Sequence, residues 1–67
     1  MIEITINGES RSVPKGLTVA ELLVELELKD SILLAEINGE MVLKDRFSEE
    51  RIASGDILEL IRITGGG

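Results

Sequence analysis

The sequence contains no cysteine, histidine, tyrosine or tryptophan, and only one phenylalanine and one proline. Without cysteine there is no disulfide framework, thiolate metal site or thiol nucleophile, and a chain free of disulfides suits a reducing cytosol. Without histidine the usual general base at neutral pH and the common imidazole metal ligand are missing. Basic residues are also scarce. Seven Lys and Arg against thirteen Asp and Glu leave a net charge of −6, the wrong sign for a protein that neutralises nucleic-acid phosphates. A charged partner should therefore be basic. The longest uninterrupted apolar run is Ile32-Leu33-Leu34-Ala35, far short of a membrane span, and Met1-Ile2-Glu3-Ile4 does not read as a secretion signal. The expectation is a cytoplasmic protein that binds neither nucleic acid nor membrane.

What the chain does have is 43% apolar residues, mostly Leu, Ile and Val, and 30% charged residues, the balance of a soluble globular domain. A chain of 67 residues holds one small core and buries roughly 60% of its unfolded surface on folding. It has no room for two lobes closing over a substrate. Among the carboxylates, Glu49 and Glu50 are adjacent, but neighbouring positions diverge in a helix or a strand, so they read as solvated surface rather than as an acid–base pair.

Ile2, Ile4 and Ile6 alternate with Glu3 and Thr5, the period of a half-buried strand, and Asn7-Gly8 is the two-residue signal of a tight hairpin. A polar return strand over Glu9 to Val13 should end at Pro14-Lys15-Gly16. Thr18-Val19-Ala20-Glu21 has the form of a capping box, with Leu17 and Leu22 placed as a hydrophobic staple. Val19, Leu22, Leu23 and Leu26 then fall on one stripe of a helix, opposite Glu21, Glu25 and Lys29, and Lys29-Asp30 is expected to close it. Ile32 to Ile37 reads as a buried strand, with Asn38-Gly39 as its turn and Met41-Val42-Leu43 as its return. Lys44 to Ser54 is expected to be irregular. Beyond the turn at Gly55-Asp56, Ile57 to Ile63 reads as an interior strand, packed on one face and partly covered on the other. The order is β-β-α-β-β-β, an α+β domain in which a mixed five-stranded sheet packs on one amphipathic helix. Residues 1–64 form the expected domain and 65–67 a flexible tail.

Gly65-Gly66-Gly67 follows a strand but has no helix after it to complete a phosphate-binding loop. Glycine lacks a Cβ, so such a run can enter a channel too narrow for other residues. The α-carboxyl group has a reference pKa of about 3.3 to 3.7 and is an ionised oxygen nucleophile at neutral pH. An inert terminus would read the same way from the glycines alone. If Leu58 and Leu60 point to the core, alternation turns Glu59, Ile61 and Ile63 outward, which places an apolar pair beside the glycines.

Taken together, Ile4-Thr5-Ile6-Asn7-Gly8-Glu9, Leu17-Thr18-Val19-Ala20-Glu21-Leu22-Leu23, Ala35-Glu36-Ile37-Asn38-Gly39-Glu40, Gly55-Asp56-Ile57-Leu58-Glu59 and the terminal Gly66-Gly67 resemble the ThiS-like sulfur carriers of thiamine biosynthesis. More broadly, the chain is similar to the ubiquitin-like β-grasp proteins of the ThiS and MoaD group. Leu43 and Phe47 stand where the family often has proline and tryptophan. The resemblance implies a protein co-substrate with no catalytic residue, metal site or bound cofactor of its own. A ThiF-type adenylating enzyme would use ATP and Mg²⁺ to join the Gly67 carboxylate to AMP. A sulfur-donor protein would then convert it to a thiocarboxylate for thiazole synthase. Gly65, Gly66, Ile61, Arg62 and Ile63 are the expected partner contacts. Carriers for molybdenum cofactor or other sulfur pathways, a protein modifier joined through Gly67, and a non-covalent β-grasp interaction module are the alternatives.

Overall fold

The computed structural model describes residues 1–62. Ile63 to Gly67, and with them the expected boundary between domain and tail, lie outside the described residues. β1 (Ile2–Ile6) and β2 (Glu9–Val13) are followed by α1 (Val19–Glu25), by β3 (Ile32–Ile37) and β4 (Glu40–Leu43), and by β5 (Ile57–Arg62). The five strands make one sheet in the order β2-β1-β5-β3-β4. β5 is central, parallel to β1 and antiparallel to β3. The expected mixed sheet, single helix and β-β-α-β-β-β order are all present.

Both hairpins turn on Asn-Gly pairs in which each residue has positive φ: Asn7 at 50° and Gly8 at 85°, Asn38 at 51° and Gly39 at 88°. These are type I′ turns, whose twist matches that of the flanking strands, and they fix the registers Ile6 to Glu9 and Ile37 to Glu40. One face of the sheet presents Ile4, Ile6, Ile32, Ala35, Ile37, Leu58 and Leu60 to the helix residues Val19, Leu22 and Leu23, and all of these are buried. Burying each of the Ile, Leu and Val side chains among them contributes about 1.5–3 kcal/mol.

The helix start is closed completely. The Thr18 hydroxyl accepts from the Glu21 N–H at 3.1 Å and the Glu21 carboxylate accepts from the Thr18 N–H at 2.8 Å, the expected capping box. The next two N–H groups bond outside the helix: Val19 donates to the Glu50 carbonyl at 2.8 Å and Ala20 to the Phe47 carbonyl at 3.0 Å. The segment after β4, expected to be irregular, contains a 3₁₀ turn over Lys44–Arg46. Its buried Phe47 and Ile52 anchor it so that its carbonyls meet the helix end, where orphan N–H groups need acceptors.

The helix ends sooner than its apolar stripe suggests. Leu26 is the C-cap and Glu27 adopts φ of 59°, so Lys29 does not lie on the helix face and Lys29-Asp30 does not close it. The Leu28 N–H donates to the Leu23 carbonyl at 2.7 Å and the Glu27 N–H to the Val24 carbonyl at 3.0 Å, the bond pair of a Schellman motif. Leu28 thereby packs back on the core, and that contact holds a glutamate in a conformation usually taken by glycine. Replacing Glu27→Gly should stabilise the fold by about 0.5–1 kcal/mol, with the melting temperature rising by about 4–8 °C per kcal/mol for a domain this small. Glu27→Ala, which keeps a Cβ, should give no such gain in thermal denaturation followed by circular dichroism.

Candidate functional site

β5 is the last described element before the terminal glycines in the sequence. β1 turns away after Ile6 while β5 continues to Arg62, and the parallel pairing covers only Thr5 to Ile57 and Ile6 to Leu58. Asn7 extends it. Its N–H donates to the Leu58 carbonyl at 2.9 Å, its Oδ1 accepts from the Leu60 N–H at 2.8 Å, and its Nδ2 donates to the Leu60 carbonyl at 3.5 Å. Asn38 does the same at the start of the strand. Its N–H donates to the Ile57 carbonyl at 2.8 Å, its Oδ1 accepts from the Ile57 N–H at 2.9 Å, and its Nδ2 donates to Asp56 Oδ1 at 2.9 Å. Each turn asparagine thus has two tasks, tolerating positive φ and supplying an amide side chain as a substitute rung of the ladder.

The face of the sheet away from the helix is divided. On β1 and β2, the Glu3 carboxylate accepts from the hydroxyls of Ser10 and Ser12, which hold its pKa below the ordinary carboxylate value. On β3, β4 and β5 the face is apolar apart from Glu36 and Glu59. Register places Leu43, Leu34 and Ile61 side by side, and Met41, Glu36 and Glu59 in the next row. Ile57 lies two residues before Glu59 on the same side of the strand. Met41 is 65% exposed, Ile57 56%, Leu43 54% and Ile61 42%. The expectation that this face of β5 is partly covered is therefore corrected: with a single helix, packed on the opposite face, no described element covers it.

Ile61 and Arg62, both expected to contact a partner, point to opposite sides of the sheet. Arg62 pairs with Ile32, which is buried toward the helix. There it lines a cavity of about 330 Å³ with Asn7, Arg11, Leu28 and Leu60 among others. Ile63, Gly65, Gly66 and Gly67 lie outside the described residues. Sequence reasoning missed Met41 and Leu43 as surface. Their signal was the alternation about buried Val42, but only the sheet order shows that they continue the row begun by Ile61.

A mixed sheet of this order, with β5 between a parallel and an antiparallel neighbour and one helix across one face, defines the ubiquitin-like β-grasp class. Within that class, the family model described as the ThiS family matches residues 4–67, and the chain belongs to that family. It is 32% identical over 65 residues to the sulfur carrier protein ThiS of Bacillus subtilis (strain 168), covering 96% of this chain and 98% of that one. It is also 35% identical over 66 residues to a thiazole synthase of Paramagnetospirillum magneticum, where the match covers 98% of this chain but spans only 20% of the relative's length. The crystal structure of the thiamine biosynthesis protein ThiS from Geobacter metallireducens superimposes with a TM-score of 0.82 at 30% identity, covering 98% of this chain and 100% of that one.

If Asn7 acts as a rung of the sheet, Asn7→Gly, which preserves the turn's backbone, should destabilise the fold by about 1 kcal/mol. In hydrogen exchange followed by NMR it should selectively expose the Leu60 amide and spare Ile57, while Asn38→Gly should do the reverse.

Proposed function

We propose that this chain is a cytoplasmic sulfur carrier, a co-substrate rather than an enzyme, whose reactive group is the Gly67 carboxylate. A ThiF-type adenylating partner, using ATP and Mg²⁺, lets a carboxylate oxygen attack the α-phosphorus, and pyrophosphate leaves. The acyl-adenylate makes the carbonyl carbon electrophilic. Sulfur delivered by a donor protein at the sulfide level attacks there, the C–S bond forms as AMP leaves, and the product is a thiocarboxylate, a better nucleophile than the carboxylate, which passes sulfur to thiazole synthase for thiamine. Every catalytic group and the metal ion belong to the partners.

The observation that carries this reading is the extent of the family match, which runs through Gly65, Gly66 and Gly67 to the final position. The fold gives it a physical setting. β5 is pinned on both sides up to Leu60, and the five residues after Arg62 span at most roughly 17 Å when extended. That reach bounds how far from the domain the glycines can act, and their lack of side chains suits a narrow active-site channel. Ile61 stands at the edge of that face, and Gly65, Gly66 and Ile63 are proposed as further contacts. Arg62 is proposed to meet the partner from the helix side. The match to part of a thiazole synthase supports thiazole synthesis over molybdenum-cofactor synthesis as the destination of the sulfur.

Deleting Gly66 and Gly67 should leave the circular dichroism spectrum and melting curve unchanged while reducing ATP–pyrophosphate exchange with the ThiF-type enzyme to background. Undiminished exchange by the folded, truncated protein would contradict the proposal and favour a non-covalent interaction module.

A further inference from the structure

The open face of the sheet carries an arrangement that folding alone does not favour. Glu36 on β3 and Glu59 on β5 are register partners, and both side chains are exposed on the apolar half of the sheet. Directly opposed side chains have Cβ atoms about 4.5–5.5 Å apart, and like charges there are destabilising. Neither glutamate has a cationic partner among the described residues. The contrast with Glu3 on the same face is direct, since that carboxylate is satisfied by two serine hydroxyls of its own hairpin. The glutamates are also bracketed by apolar side chains: Leu34 and Ile61 on one side, Ile57 on the other, and Met41 at the end of their row. A surface that covered the apolar residues would strip water from the carboxylates, and that would be costly unless it brought positive charge with it.

We infer that this face docks a partner surface that is apolar around a lysine or arginine whose cationic head seats between Glu36 and Glu59. The charge pattern decides against a second copy of the chain as occupant. A two-fold contact through this face would bring both glutamate pairs together, on molecules that already carry a charge of −6 each. A basic side chain instead relieves the repulsion that the free domain carries, so the two carboxylates act as a specificity determinant as well as a source of affinity. The inference rests on the sulfur-carrier reading and names the charge of the surface that the adenylating enzyme must present.

The test is a set of Glu36→Gln, Glu59→Gln and double variants, compared with wild type in two measurements. Urea denaturation should give a higher midpoint for each single variant, because the repulsion is removed. Calorimetric titration with the ThiF-type adenylating enzyme should give binding weaker by about tenfold or more, with a shallower dependence on NaCl. Glu36→Asp should retain most of the affinity. Affinity within twofold of wild type in the double variant, or binding strengthened by the substitutions, would overturn the inference. Formation of the acyl-adenylate at Gly67, read by mass spectrometry at saturating enzyme, separates the two ideas. A wild type that is adenylated but indifferent to the glutamates sinks only the docking surface, whereas a wild type that neither binds nor is adenylated sinks the carrier reading and the inference with it.

Discussion

β5 outlasts its parallel neighbour, and most of what this small domain does follows from how that mismatch is resolved. Once β1 turns away after Ile6, one more backbone bond follows on that side, from the Asn7 N–H to the Leu58 carbonyl, and beyond it the strand has described backbone partners on β3 only. Asn7 reaches across with its side-chain amide and bonds Leu60, and Asn38 does the equivalent for Ile57. These bonds let a short sheet hold its central strand from both sides. A domain of this size has little apolar area to spare, so hydrogen bonds that serve a turn and a strand at once are an economical way to set direction.

The same small size explains the open face. One seven-residue helix can cover only one side of five strands, and its ends are held by different means. Its start is closed by the capping box and by two carbonyls from the segment after β4. Its finish depends on Leu28 folding back on the core at the expense of a strained Glu27. The uncovered side then carries isoleucine, leucine and methionine around two opposed glutamates. A monomer selected for stability alone would place polar or oppositely charged side chains there. Under the proposed carrier role, such a face can be retained because it becomes fully satisfied only in a complex.

Local signals made much of this legible in the sequence. Asn-Gly pairs following apolar strands specified both hairpins, because few other residues accept two successive positive φ values. Thr18 and Glu21 specified the helix start because the capping box is contained in four residues. Alternation along β5 put Ile61 on the surface. What could not be read was non-local. The helix end was obscured because its left-handed residue is Glu27 and not glycine, and the reason is a tertiary contact of Leu28. The carbonyls of Phe47 and Glu50 meet the helix only after the chain has crossed the sheet. That Glu36 faces Glu59, and that Arg62 turns to the helix side beside Ile32, follow from a strand order and a register that no single segment encodes. The terminal glycines were legible as composition, and their assigned chemistry rests on family membership.

The central claim is that Gly67 is converted from carboxylate to thiocarboxylate. Its most direct test is intact-protein mass spectrometry after the folded chain is incubated with ATP, Mg²⁺, the ThiF-type enzyme and a sulfide source. The account predicts a mass increase equal to the exchange of one oxygen for sulfur, located by fragmentation at Gly67. An unchanged mass, with an adenylating enzyme shown to be active on another carrier, would contradict it.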